Sequence, residues 1–81
     1  MANVKVYSTK TCPWCEKAKQ FLKEKGVAFD GLDVGSDEKA RNEMFEKSGQ
    51  LGVPVIEIGE TVIVGFDADA MTTALKEAQL L

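Results

Sequence analysis

A chain of 81 residues, 44% of them hydrophobic, has room for one modest core, so we expect a single domain over residues 1–81. Its formal net charge of −3 argues against nucleic acid as a partner, and no apolar run is long enough to cross a bilayer. Its two cysteines are too few and too close in sequence for a disulfide-stabilised secreted fold. Because Met1 is followed almost directly by the first predicted strand, we expect a cytoplasmic protein without a membrane partner.

The first predicted elements surround the two cysteines. A short apolar strand, Val4–Tyr7, leads into a Cys-Pro-Trp-Cys motif at residues 12–15, which opens an amphipathic helix ending near Lys25. The proline of the motif suits the first position of a helix, where its missing N–H costs nothing. Cys15 falls on the inward arc of this helix and Cys12 does not, so we expect Cys15 to be the more buried of the two.

Cys12 stands where backbone N–H groups lack helical acceptors and the helix dipole is positive, which favours a thiolate. Six lysines and two glutamates lie among the first 25 residues, whereas the rest of the chain is acidic. The positive end of the protein is therefore the cysteine end, which suits a thiolate and an anionic partner. Lys10 either adds positive charge beside Cys12 or is a solvated loop lysine.

The remaining elements alternate between strand and helix. They are a strand over 27–34, a helix from Asp37 to about Lys47, a hairpin of strands over 53–58 and 61–64, and a helix beginning at Asp67. Ala40 and Met44 give the second helix only a thin apolar face, so we expect it to make few core contacts.

This order of elements predicts the fold. A helical crossover makes the first two strands parallel, and the hairpin adds an antiparallel pair. We therefore expect an α/β fold in which three helices cover both faces of a four-stranded mixed sheet, in the order βαβαββα. Cys12 then follows an inner strand at its C-terminal end, where such sheets bind their ligands.

Three short motifs follow one another along the chain: Cys12-Pro13-Trp14-Cys15, Val53-Pro54 and Gly65-Phe66-Asp67. With them the chain resembles the glutaredoxin family over essentially its whole length. The resemblance implies a thioredoxin-like fold, a cis peptide bond before Pro54, and a thiol–disulfide oxidoreductase with Cys12 and Cys15 as catalytic residues. It also implies a surface that binds substrate or glutathione, formed by Lys10, Trp14, Val53, Pro54, Gly65, Phe66, Asp67 and Ala68.

Several departures from the family pattern bear on the co-substrate. Thr9 stands where glutathione-using members usually have lysine, and Gly52 replaces a threonine before the Val-Pro pair. Phe66 replaces the second glycine of a Gly-Gly pair, and Ala68-Asp69 replaces an acidic pair. These changes resemble the small redoxins that serve ribonucleotide reductase, some of which take electrons from thioredoxin reductase. Pro13-Trp14, in contrast, resembles ordinary dithiol glutaredoxins.

The aromatic and acidic residues of these motifs also have structural interpretations. We expect Trp14 to be a partly exposed contact surface, since aromatic anchors are enriched at interfaces. Phe66 either lines the same groove or packs under the last helix. Asp67 is first of all a helix N-cap, while the N–H groups of Asp67 and Ala68 are suited to a ligand carboxylate.

The predicted chemistry is thiol–disulfide exchange, in which the Cys12 thiolate attacks a substrate disulfide and Cys15 resolves the mixed disulfide. We expect a monomer without a tightly bound cofactor or metal, acting on disulfide-containing proteins with glutathione or thioredoxin reductase as electron donor. The alternative is a dimeric iron–sulfur or zinc carrier bridged by the same cysteines, since one chain has no histidine or third cysteine to complete a zinc site. A non-enzymatic interaction domain is disfavoured by the intact cysteine pair.

Overall fold

The computed structural model describes residues 4–80, in which four strands and three helices follow the predicted order. The strands are β1 (Val4–Ser8), β2 (Asp30–Asp33), β3 (Val55–Ile58) and β4 (Thr61–Val64). The helices are α1 (Pro13–Glu24), α2 (Glu38–Ser48) and α3 (Ala68–Glu77). The domain expected over residues 1–81 thus includes residues 1–3 and 81, which lie outside the described part of the chain.

The strands form one mixed sheet in the order β2-β1-β3-β4. β1 pairs with β2 in parallel and with β3 antiparallel, and β3 pairs antiparallel with β4. The predicted four-stranded mixed sheet, its three helices and their order are confirmed. Among the described residues, no helix has the length and apolar character needed to cross a membrane.

Two strands are shorter than predicted. The expected strand over 27–34 begins only at Asp30, because Gly26 takes a φ of 71° and the Val27 N–H donates to the Leu22 carbonyl at 3.0 Å. Val27 is therefore hydrogen-bonded to the end of α1 and does not pair with β1. The strand expected from Val53 begins at Val55, since Pro54 has no N–H to donate to a ladder.

The sheet separates two apolar cores. On one face, residues of α1 and α3 such as Leu22 and Met71 pack against Val6 and Ile56. On the other face α2 contributes only Ala40 and Met44, while Phe45 of the same helix is 51% exposed. The thin apolar face predicted for α2 is therefore confirmed.

A polar contact compensates in part for the small apolar face of α2. The Lys47 Nζ donates to a carboxylate oxygen of Glu57 at 2.9 Å and to the buried Tyr7 hydroxyl at 3.3 Å. The hydrogen bond to Glu57 raises the pKa of Lys47 above its ordinary value. This contact connects the end of α2 to β1 and β3, the two central strands of the sheet.

Candidate active site

The register of the two central strands brings the cysteine loop and the proline loop together. β1 and β3 are antiparallel with Tyr7 opposite Val55, so β1 ends where β3 begins. The loop that carries Cys12 and the Val53–Pro54 peptide bond therefore lie at the same end of the sheet. That bond is cis, as the resemblance to the glutaredoxin family implies.

Cys12 is the N-cap of α1. Its Sγ accepts a hydrogen bond from the Cys15 N–H at 3.2 Å, and Pro13 occupies the start of the helix. A sulfur in this position faces the positive end of the helix dipole and a backbone donor, both of which stabilise negative charge on it. Cys12 is partly exposed.

Cys15 is buried, whereas Cys12 is partly exposed, as predicted. It is 0% exposed and is not disulfide-bonded to Cys12. Burial, reinforced by the neighbouring Cys12 side chain, raises the pKa of the Cys15 thiol to about 11, although a backbone hydrogen bond involving Thr9 and the positive charge of Lys19 partly oppose this. The Cys15 thiol therefore stays protonated near neutral pH, and the two cysteines differ in exposure.

Five of the residues predicted to bind substrate or glutathione line one groove of about 280 Å³: Trp14, Val53, Pro54, Gly65 and Phe66. The Trp14 side chain is 54% exposed, which agrees with its expected place on a contact surface. Its ring stacks on Phe66 with the centroids 6.4 Å apart and 27° between the planes. The groove is thus lined by residues with apolar or aromatic side chains, and it includes Trp14 of the cysteine motif.

Phe66 fits both interpretations that the sequence left open. It lines the groove, and it also packs against the core beneath α1 and α3. Its ring meets Phe21 edge to face, with 6.0 Å between centroids and 72° between the planes. One side chain therefore connects the rigid core to the exposed Trp14.

The other three predicted residues lie outside this groove. Asp67 is the N-cap of α3, and its Oδ1 accepts the Ala70 N–H at 3.1 Å, while Ala68 begins that helix. Lys10 is exposed, and its charge acts on Asp33 at the end of β2. Hydrogen bonding from the Gly35 N–H chiefly lowers the pKa of the Asp33 carboxyl, and the Lys10 ammonium adds to this effect.

Sequence reasoning missed two side chains that extend the aromatic surface along α1. The Lys17 Nζ lies 4.3 Å from the centroid of the Trp14 ring, and Phe21 contacts Phe66. Lys17 stands three residues after Trp14 and Phe21 four residues after Lys17. That i,i+3 and i,i+4 spacing on a helix is the signal that identifies such neighbours.

Within residues 4–80, no group of three or more His, Cys, Asp and Glu side chains is arranged to hold a metal ion. A cluster or zinc ion bridged by the two cysteines would thus need ligands from outside the described part of this chain. The comparisons below give no support to the metal-carrying alternative.

The family model and several similar proteins identify the glutaredoxin family. The glutaredoxin family model matches residues 4–63. An uncharacterised glutaredoxin-like 8.6 kDa protein in the rubredoxin operon of Clostridium pasteurianum is 52% identical over 64 residues, which cover 79% of this chain and 85% of that protein. Glutaredoxin 3 of Escherichia coli K12 is 43% identical over 67 residues, covering 83% and 81% respectively. The crystal structure of a glutaredoxin from Archaeoglobus fulgidus superposes with a TM-score of 0.86 at 27% identity, over 94% of this chain and 88% of that one.

Proposed function

This chain belongs to the glutaredoxin family of thiol–disulfide oxidoreductases, and we propose that it reduces disulfide-containing proteins through Cys12 and Cys15. The observation that carries the proposal is the asymmetry of the two sulfurs. Cys12 is accessible at the start of α1 and accepts a backbone hydrogen bond, whereas Cys15 is buried and protonated. One sulfur is placed to attack a partner, and the other is placed to attack only its neighbour.

In the first step, the Cys12 thiolate attacks one sulfur of the substrate disulfide. The substrate S–S bond breaks, a new S–S bond joins Cys12 to one half of the substrate, and the other half leaves as a thiolate that takes up a proton from solvent. The backbone donor at Cys15 and the helix dipole stabilise the attacking charge before the reaction.

In the second step, Cys15 loses its proton and attacks the Cys12 sulfur, which releases the rest of the substrate as a thiol. Two electrons have passed to the substrate, and the cysteine pair has become a disulfide. The negative charge of Cys12 is one of the causes that raise the pKa of Cys15, and it disappears once Cys12 is in the mixed disulfide. The resolving thiol therefore ionises more easily at the stage where it is needed.

The oxidised pair must then be reduced by an external donor, for which we propose glutathione or thioredoxin reductase. No tightly bound cofactor enters this cycle, and glutathione acts as a co-substrate only. Because the cycle requires both thiols to be returned to the reduced state, we place the protein in a reducing compartment such as the cytoplasm, acting as a monomer. The apolar groove at Trp14 and Pro54 supports a peptide chain as the group held beside Cys12.

The test is NADPH oxidation with a disulfide substrate, supplied in parallel with glutathione and its reductase or with thioredoxin reductase. Turnover in one arm identifies the donor. Cys12→Ser should abolish turnover, and Cys15→Ser, the matched single-sulfur control, should accumulate mixed disulfides instead. Turnover by Cys12→Ser at the wild-type rate, or no turnover by the wild type in either arm, would contradict the proposal.

A further inference from the structure

A second groove extends the aromatic surface away from the cysteines. It has a volume of about 360 Å³ and is lined by Lys17, Gln20, Phe21, Glu24 and Phe66. Phe66 also lines the groove beside the cysteine loop, so the two grooves share one wall. We call the two grooves together the aromatic track, with Trp14, Phe66 and Phe21 as its floor.

The length of the aromatic track indicates the size of its ligand. Phe21 lies seven residues after Trp14 on α1, which is about 10 Å along the helix axis at 1.5 Å per residue. An extended chain covers that distance with about three residues, in addition to the residue held at Cys12. The two grooves, which lie on either side of Phe66, therefore span the length of an extended segment of about four residues, which is longer than a tripeptide.

Two ammonium groups and one carboxylate lie along the aromatic track. The Lys17 Nζ lies 4.3 Å above the Trp14 ring, and the Lys25 Nζ lies 5.5 Å above the Phe21 ring. Neither lysine takes part in an ion pair with another of residues 4–80, although the Glu24 carboxylate also lines the second groove. Two ammonium groups above an apolar floor are complementary to acidic side chains that flank an apolar one.

We propose that the aromatic track docks the disulfide-bearing segment of a protein substrate. The segment places an apolar side chain against the edges of Trp14 and Phe66 and acidic side chains against Lys17 and Lys25. This inference rests on the proposed function, because the segment is held so that its disulfide meets Cys12. It adds that substrates are selected by an apolar residue beside the reactive cysteine, followed by acidic residues.

The experiment uses three disulfides that differ in their flanks, and each rate is divided by the rate at which free dithiothreitol reduces the same disulfide. The first peptide has a leucine next to its cysteine, followed by two glutamates. The second peptide has lysines in place of the two glutamates. In both peptides the cysteine forms a mixed disulfide with mercaptoethanol. Bis(2-hydroxyethyl) disulfide provides the neutral reference. The wild type should reduce the acidic peptide with a kcat/KM about tenfold above that of the lysine peptide at low salt, and high salt should reduce this ratio.

Three variants, two at Lys17 and one control, test which lysine carries the selection. Lys17→Glu should lower the ratio of kcat/KM for the acidic peptide to kcat/KM for the lysine peptide about tenfold, which removes the preference. Lys17→Gln should lower the same ratio about threefold. Lys39→Glu is the matched control, because Lys39 is also an exposed lysine and belongs to α2, on the opposite face of the sheet. It should keep the wild-type ratio.

The outcomes separate this inference from the proposed function. If the wild type fails to reduce even the neutral reference, the proposed function is wrong. If it reduces the reference but treats both peptides alike, or if Lys39→Glu loses the preference as fully as Lys17→Glu, only the docking inference is overturned. A change confined to the KM for the electron donor would assign the aromatic track to the donor, and a dimer lost in Lys17→Glu would assign it to a second copy. Either result would also overturn the inference.

Discussion

The two thiols of the reduced protein should differ strongly in their reactivity toward alkylating reagents. Burial raises the pKa of Cys15 from 9.0 to about 11, and its side chain is 0% exposed. Only a thiolate reacts, so at pH 9 this shift leaves about 1% of the Cys15 thiol reactive, against about half of an ordinary cysteine. Ionisation alone therefore slows Cys15 about fiftyfold, and exclusion of the reagent from the core slows it further.

The assay is timed labelling of the reduced protein with iodoacetamide at pH 9, followed by trypsin digestion. Cleavage after Lys10 and Lys17 leaves both cysteines in one peptide, residues 11–17, whose fragment ions locate the label. The singly labelled peptide should carry the label on Cys12, with Cys15 at least about fiftyfold slower. In denaturant the two sites should react at similar rates, which is the control. Comparable rates in the folded protein would refute the reasoning from burial.

Two further predictions concern stability. The free energy of unfolding of the reduced protein should be fully retained below about pH 9 and fall toward pH 11, because there the folded state keeps the Cys15 proton that the unfolded chain has lost. The two-unit shift corresponds to a fall of about 3 kcal/mol in the free energy of unfolding, and denaturant titrations of Cys15→Ala should lack this fall. The same fall in both proteins would exclude Cys15 as its cause. Lys47→Met should cost about 1–2 kcal/mol in urea titrations, because it removes the hydrogen bonds to the Tyr7 hydroxyl and Glu57. Glu57→Gln, which keeps an acceptor, should cost less, and a Lys47→Met variant as stable as the wild type would show that this contact contributes nothing.

The parts of the fold that the sequence predicted correctly depend on local signals. The order of strands and helices follows from apolar periodicity and from turn residues such as Gly49 and Gly59, both of which have positive φ values. The starts of β2 and β3 were misplaced because they depend on other signals. Val27 has a strand-forming side chain, but its N–H donates to the end of α1, and Pro54 has no N–H to donate to a strand ladder. The cis bond followed from the resemblance to a family and not from the residues alone.

The candidate site was predictable where one element determines it. The exposure of Cys12 and the burial of Cys15 follow from their positions at the start of a single helix. The role of Lys10 was not predictable, because its neighbour Asp33 is brought close only by the pairing of β1 with β2. The dual role of Phe66 likewise depends on how α3 packs against α1, which no spacing in the sequence reveals. The catalytic and binding roles themselves stay predictions until measured.

The most direct test is to trap the first step of the exchange. Cys15→Ser is incubated with one equivalent of a peptide disulfide, and the products are followed by intact-mass spectrometry and peptide mapping. The expected result is one adduct per protein, joined through Cys12, with no adduct on Cys12→Ser under the same conditions. If Cys12→Ser formed an adduct through Cys15 at a comparable rate, this would contradict the assignment of Cys12 as the attacking sulfur and Cys15 as the resolving sulfur.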